Sequence, residues 1–104
     1  MEVVDPLHPA TAHLGPVWQW RDEIYRFGSL DPEARVLLRL AEAEVDLSVT
    51  GGRVPEGGFP LAWCLGGEGG RTFYSALGHF PQAWESTVYL RHLAGGLAWL
   101  LEAT

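Results

Sequence analysis

The length of the chain constrains the fold more than any other feature of the sequence. With 104 residues it suits one small domain, and it is too short for a TIM barrel of about 250 residues or for a complete two-half dinucleotide-binding fold. Hydrophobic residues make up 47% of the chain and charged residues 19%, so a packed core is expected and disorder is not. The sequence therefore predicts a single domain with a hydrophobic core.

The charge balance argues against a nucleic-acid partner, and the short apolar runs argue against a membrane-spanning helix. Thirteen acidic residues oppose seven basic ones, all arginine, and no basic stripe is present. The longest apolar run, 93–101, has nine residues, whereas a membrane-spanning helix needs about 20. The N-terminus lacks the pattern of a signal peptide, and the single cysteine, Cys64, cannot form an internal disulfide. These features predict a cytoplasmic protein.

Hydrophobic patterning predicts several short strands followed by one helix. Strands are expected at 17–27, 35–40, 60–65 and 71–77, with a weaker one at 45–49. The glycine-rich run 66–70 favours a hairpin between the last two strands. A helix is expected over 86–102, capped by Ser86 or Thr87, with its apolar face formed by Leu90, Leu93, Leu97, Leu100 and Leu101. The pair Gly95-Gly96 within this helix indicates close approach of a neighbouring backbone.

Two histidines are candidates for chemistry. His79 follows a predicted strand and a glycine, a position where α/β proteins place ligand crevices, and histidine can transfer protons near neutral pH. His8 precedes Pro9 in an extended loop and is a second candidate, while His13 and His92 are expected to be surface or packing residues. The four histidines lack the spacing typical of a zinc site, so no metal is predicted, and the sequence indicates no particular cofactor.

Asp22, Glu23 and Trp84 have alternative interpretations, whereas Cys64 has one. Asp22 and Glu23 are adjacent in a predicted strand, so they point to opposite faces and cannot act as one acid/base pair. They are either a solvated pair or a pair with one carboxylate turned into a pocket. Trp84 follows His79 in a loop and either packs or forms the wall of a sugar pocket. Cys64 lies in an apolar strand and is expected to be a buried structural thiol.

Taken together, several of these segments resemble the ThuA-like (trehalose utilisation) family. Near the N-terminus they are Asp5, the run His8-Pro9-Ala10-Thr11 and the run Asp22-Glu23-Ile24-Tyr25. Towards the C-terminus the resemblance continues through 60–64, 69–79 and the helix. The resemblance implies a shortened class I glutamine amidotransferase-like (flavodoxin-like) α/β sandwich. It implies a mixed sheet, a C-terminal hairpin and a C-terminal helix, in one truncated domain over 1–104 that matches only the C-terminal half of the family domain.

The resemblance also implies a function in the metabolism of trehalose or a related keto-disaccharide. The pocket would lie near His79, with His79 and Glu23 as catalytic residues and His8, Asp22 and Trp84 as substrate-binding residues. Whether the chain is an enzyme stays open. The alternative is a non-catalytic, self-associating binding module or remnant of the ThuA-like fold. Either way, we expect a homodimer as the main protein partner and a small sugar as the ligand.

Overall fold

The computed structural model describes residues 1–22, 27, 30–40, 58–66 and 69–102. The described elements are, in chain order, the strands β1 (Glu2–Val3), β2 (Arg35–Leu40), β3 (Phe59–Leu65) and β4 (Thr72–Ser75), a 3₁₀-helix (Pro81–Glu85) and the helix α1 (Thr87–Leu101). The predicted strand at 45–49 lies outside the described residues. The described part is thus an α/β arrangement in which a helix follows a sheet.

The four strands form one antiparallel sheet in the order β1-β2-β3-β4. The predicted hairpin is confirmed, since β3 and β4 pair from Leu65–Thr72 to Ala62–Ser75. Gly69 and Gly70 have φ values of 95° and 134°, which a residue with a side chain rarely adopts. The expected mixed sheet is not observed in the part of the chain that the structure describes, because each strand there reverses direction relative to its neighbour.

The centre of the sheet provides the core. Leu37, Leu38 and Ala62 are completely buried, and Phe59 and Cys64 are nearly so. These strands carry apolar residues on both faces, as the uninterrupted hydrophobic runs of β2 and β3 predict. Burial also raises the pKa of the Cys64 thiol, which suits the predicted structural role and not that of a nucleophile.

The predicted strand at 17–27 is wrong for its described N-terminal part. Val17 forms only an isolated bridge with Glu2, and residues 18–22 lie in no strand. The aromatic residues that suggested a strand pack against the helix instead: Trp18 lies 5.5 Å from His92 and Trp20 lies 5.4 Å from Tyr89, between ring centroids. Packing onto α1 therefore replaces strand pairing along this segment.

The helix was predicted correctly, but its buried face was not. Ser86 caps α1, with its Oγ accepting a hydrogen bond from the backbone N–H of Tyr89 at 3.2 Å. The residues that α1 buries are Tyr89, His92 and Gly96, and several of the leucines expected inside face outward. The Gly95-Gly96 pair explains the difference, because the helix approaches its neighbours most closely where it has no side chains.

None of the helices in the described ranges is both long enough and apolar enough to span a membrane.

Candidate functional site

Asp22 fixes the backbone that follows β4. Its Oδ2 accepts hydrogen bonds from Gly78 N at 2.6 Å and Trp20 Nε1 at 2.9 Å, and its Oδ1 accepts one from His79 N at 3.0 Å. Hydrogen bonds to an ionised acceptor are stronger than neutral ones. The Asp22 carboxylate therefore binds two residues, Gly78 and His79, that are 56 and 57 positions away from it in sequence.

The same backbone is held from the helical side. Tyr89 Oη donates a hydrogen bond to Leu77 O at 3.1 Å, and Trp84 Nε1 donates one to Gly78 O at 3.1 Å. Gly78 has a φ of 105°, and a Cβ at this position would overlap the Tyr89 hydroxyl. The turn after β4 thus requires glycine, and residues 77–79, which we call the post-β4 segment, are held by side chains from both neighbours.

A cleft of about 560 Å³ opens beside the post-β4 segment. It lies between residues 19–21 and the 3₁₀-helix, and its lining combines aromatic, amide and guanidinium side chains: Gln19, Trp20, Arg21, Phe80, Gln82 and Ala83. Its volume lies within the range of small-molecule sites, which are typically apolar with a few polar groups that set orientation. The cleft can therefore offer a ring-stacking surface together with hydrogen-bond donors.

His79 is not among the residues that line this cleft, but it directly precedes the lining residue Phe80. Its ring packs edge-on against Phe80, with 5.1 Å between the ring centroids. The side chain of His79 is exposed to solvent. The backbone N–H of His79 donates its hydrogen bond to Asp22, so this contact sets the position of the residue.

His8 lies at the other end of α1 and β4. It packs against Phe73, the second residue of β4, and against Trp99 near the end of α1, with centroid separations of 6.2 and 5.3 Å. His79, in contrast, follows the far end of β4, where Tyr89 in the first turn of α1 bonds the chain. Tyr89 and Trp99 are ten residues apart on the helix, which corresponds to about 15 Å. The structure therefore does not bring His8 to the cleft.

The surroundings of His8 favour a structural role. Its Nδ1 accepts a hydrogen bond from Ala10 N at 3.0 Å, which requires a neutral ring, and burial lowers the pKa of His8. Thr11 of the same run donates its hydroxyl hydrogen to the carbonyl of Asp5. Asp5 in turn forms an ion pair with Arg35 on β2. The run at 8–11 thus folds into a turn that is tied to the sheet; the His8 Nε2 atom is buried and has no hydrogen-bond partner.

His92 on α1 contacts both the loop at 8–11 and the strand β4, in line with its predicted packing role. Its Nδ1 lies 2.9 Å from Ala10 O and its Nε2 lies 3.0 Å from Ser75 Oγ. A neutral ring satisfies both contacts, with Nδ1–H donating to the carbonyl and Nε2 accepting from the hydroxyl. Burial lowers the pKa of His92 to about 4, which keeps the ring in this neutral form.

The predicted site residues are therefore only partly brought together. Asp22, His79 and Trp84 meet at the post-β4 segment, His8 does not, and Glu23 lies outside the described residues. Trp84 contacts the post-β4 segment and is not among the residues that line the cleft. The sequence analysis missed the cleft-lining residues Gln19, Arg21 and Gln82. Their proximity in sequence to Asp22 and His79, which it did single out, could have identified them.

Comparison with known protein families gives a match over nearly the whole chain. Residues 1–100 match the family described as ThuA, trehalose utilisation. The chain belongs to the ThuA family. In this ThuA chain the matched range includes the run at 8–11, Asp22 and His79. No curated protein and no solved structure matched the chain.

The described part of this ThuA chain shows no metal centre. In residues 1–22, 27, 30–40, 58–66 and 69–102, no three histidine, cysteine, aspartate or glutamate side chains converge in a way that could hold an ion.

Proposed function

We propose that this ThuA-family protein binds a carbohydrate, trehalose or a related keto-disaccharide, in the cleft beside His79. The observation that carries the proposal is the position of the cleft, which adjoins the post-β4 segment held by Asp22 in a chain of the trehalose utilisation family. Its volume of about 560 Å³ suits a small-molecule ligand.

The side chains of the cleft match the chemistry of a sugar. The aromatic faces of Trp20 and Phe80 can pack against the C–H face of a pyranose ring. The Gln19 and Gln82 amides both donate and accept hydrogen bonds, and the Arg21 guanidinium donates several. Together these groups can pair with the hydroxyl and carbonyl oxygens of a sugar or keto-sugar.

His79 is the proposed acid/base group of the site. A histidine can take a proton from a substrate hydroxyl or return one near neutral pH. Support for this role is that His79 packs against the cleft-lining residue Phe80 and that its backbone N–H donates a hydrogen bond to the Asp22 carboxylate. The proposed catalytic role of Glu23 and the substrate-binding roles of His8, Asp22 and Trp84 stay predictions. The position of His8 at the other end of α1 favours a structural role for that residue.

A second candidate function is sugar binding without catalysis. The three hydrogen bonds described for the Asp22 carboxylate go to two backbone N–H groups and one indole. All three bonds shape the wall of the cleft, as a binding module of the ThuA fold requires.

Titration calorimetry and proton NMR on the intact chain distinguish the two functions. We expect trehalose or a 3-keto-disaccharide to bind at millimolar concentration or below. Arg21→Ala and Gln82→Ala should each weaken binding about fivefold, the effect of losing one hydrogen bond of about 1 kcal/mol. Arg91→Ala is the matched control, because Arg91 is an exposed arginine on α1 away from this cleft.

The outcome for His79→Ala separates enzyme from binding module. Conversion of the bound sugar that the wild type carries out and His79→Ala loses, with binding retained, supports catalysis. Binding without any conversion supports the second function. Absence of binding for all of these sugars would contradict both.

A further inference from the structure

The solvent face of α1 is a continuous apolar stripe. Leu90, Leu97 and Leu101 are 42%, 55% and 76% exposed, and Ala94 and Ala98 are exposed between them. Residues spaced by three, four and seven lie on one side of an α-helix, so these five residues form a single surface, which we call the α1 stripe. Arg91 is the one charged residue between Thr87 and Leu101. An outward helix face with so little charge is typical of an interaction surface.

The α1 stripe is complementary to itself in the antiparallel direction. Leu90 and Leu101 lie at equal distances from its centre, and so do Ala94 and Leu97. When two copies pair about a two-fold axis, each leucine at one end therefore faces a leucine at the other end, and each small Ala94 faces a large Leu97. The alternation of small and large residues lets the two helices interdigitate.

The charges beside the stripe favour the same arrangement. At 100° per residue, Arg91 and Glu102 lie on the same flank of the α1 stripe, near its opposite ends. In an antiparallel helix pair like flanks meet, so Arg91 of one copy would face Glu102 of the other, and the two-fold axis repeats the pair. The Glu102 side chain is 61% exposed and its contact with Arg71 is 3.5 Å long, so the carboxylate can also reach a second guanidinium. In a parallel pair unlike flanks meet, so Arg91 of one copy would not face Glu102 of the other.

We propose that the α1 stripe binds a second copy of this chain, with the two α1 helices antiparallel across a two-fold axis. The two ends of the stripe, Leu90 and Leu101, are eleven residues apart, which corresponds to about 16 Å of helix. A single helix pair of this length buries less than the roughly 1,200 Å² of a standard interface, so the dimer is weak and depends on concentration. The proposal does not depend on sugar binding, since the stripe does not include the cleft residues.

Sedimentation equilibrium of the intact chain tests the proposal. The wild type should shift from monomer towards dimer between about 10 µM and 1 mM, the range of a weak helix–helix interface. Leu97→Glu should weaken association at least about tenfold, because it places a carboxylate against the apolar stripe of the second copy. Leu7→Glu is the matched control, since Leu7 is 85% exposed in a loop and lies off the stripe, and it should leave association unchanged. Both positions are exposed, so the fold should tolerate both variants.

Charge reversal tests the direction of pairing. Arg91→Glu alone and Glu102→Arg alone should each weaken the dimer about fivefold, because each puts like charges together. The double variant should recover most of the wild-type association.

Cysteine cross-linking gives a second test of direction. A mixture of Ala94→Cys and Leu97→Cys chains should form disulfide-linked dimers faster than either variant alone, because these two positions face each other in the antiparallel pair. The native Cys64 is buried and should not interfere.

Three results would overturn the proposal. One is a monomer at every concentration, which would mean that something other than a second copy covers the stripe. Another is a dimer that Leu97→Glu leaves intact. The third is evidence against antiparallel pairing, from a double charge reversal that associates no better than its parents or from an Ala94→Cys variant that cross-links to itself as fast as in the mixture.

Discussion

A single carboxylate, that of Asp22, has the greatest consequence for the candidate site. It accepts hydrogen bonds from two successive backbone N–H groups, those of Gly78 and His79, and from the Trp20 indole. These contacts hold a wall of the cleft and the residue proposed for proton transfer in one arrangement. The sequence singled out Asp22 and His79 separately, one from a pair of carboxylates and one from the end of a strand. Their contact depends on how the chain folds.

We expect Asp22→Asn to loosen the post-β4 segment. The substitution removes the charge and replaces one acceptor oxygen with an amide group that cannot accept from the facing N–H groups. The free energy of unfolding should fall by about 1–3 kcal/mol, the range for hydrogen bonds to charged groups. Urea unfolding at pH 7 measures this loss, and amide chemical shifts of residues 77–79 report the local change.

Asp31→Asn is the matched control for this experiment. Asp31 accepts a hydrogen bond from Glu33 N at 2.8 Å in an exposed turn, so its substitution should cost no more than about 0.5 kcal/mol. Equal losses for the two variants would show that the Asp22 carboxylate has no special role.

Among the elements, α1 shows how close contact determines which face a helix buries. A Cβ at Gly95 would overlap the backbone of Pro9 and Ala10, and one at Gly96 would overlap the ring of Phe73. The glycine pair therefore allows the loop at 8–11 and β4 to approach the helix axis. The prediction that this pair marks a close backbone approach is confirmed at Gly95. The prediction that the leucine-rich face of α1 is buried is wrong for its exposed leucines, because the helix contacts the loop and β4 through the face with the small side chains.

We expect Gly95→Ala to destabilise the protein more than Gly96→Ala. Alanine favours the helix by up to about 1 kcal/mol relative to glycine, but overpacking costs about 1–3 kcal/mol. At Gly95 the obstacle is backbone, which cannot move without shifting the loop, whereas at Gly96 it is an aromatic side chain that can rotate. Thermal and urea unfolding of both variants measure the difference.

The variant Ala98→Gly measures how much helix propensity alone contributes to the stability of the protein. Ala98 is exposed on α1, so this change should cost about 1 kcal/mol through helix propensity alone. A gain in stability for Gly95→Ala of that same size would mean that the close approach of Pro9 places no constraint on the helix.

For the whole molecule, His92 is the residue that couples the separate parts. It lies on α1 and contacts the loop at Ala10 and the strand β4 at Ser75, and it is completely buried. Its contacts require a neutral ring. The free energy of unfolding of the whole structure therefore depends on pH through this histidine.

We expect the free energy of unfolding to fall as the pH decreases from about 6.5 towards 4. Burial lowers the pKa of His92 to about 4 in the folded state, from an ordinary value of 6.5. Above 6.5 both folded and unfolded states hold the ring neutral and this residue gives no pH dependence. Below 6.5 the unfolded state binds a proton that the folded state does not, which stabilises the unfolded state by up to about 3 kcal/mol. The lowered pKa of His8 acts in the same direction.

Urea unfolding at pH 7.5, 6.0 and 5.0 tests this dependence. His92→Asn should be less stable at pH 7.5, because it loses a hydrogen bond, but its stability should fall less between pH 7.5 and 5.0 than that of the wild type. Ala98→Gly lowers the stability of the same helix at an exposed position without changing a titratable group, and it should retain the wild-type dependence. An undiminished pH dependence in His92→Asn would assign the effect to other groups.

The sequence alone determined the local structure and the family of this protein. Short segments rich in apolar residues predicted β2 and β3, the glycine-rich run 66–70 predicted the hairpin, and Ser86 or Thr87 followed by an apolar segment predicted α1. These features depend on neighbouring residues, so they can be read from the order of the chain. The runs at 8–11, 22–25 and 69–79 likewise carried the resemblance to the ThuA family, which the match over residues 1–100 confirmed.

The tertiary structure decided which of these residues meet. It placed His8 beside Trp99 near the C-terminal end of α1 and the backbone before His79 beside Tyr89 in its first turn. It also turned the aromatic residues of 18–20 onto the helix and exposed leucines that a helical pattern predicts to be buried. The physical reason is that each outcome depends on contacts between residues far apart in sequence. Such contacts include the approach of Pro9 to Gly95 and the hydrogen bonds that Gly78 N and His79 N donate to Asp22, and hydrophobic periodicity does not specify them.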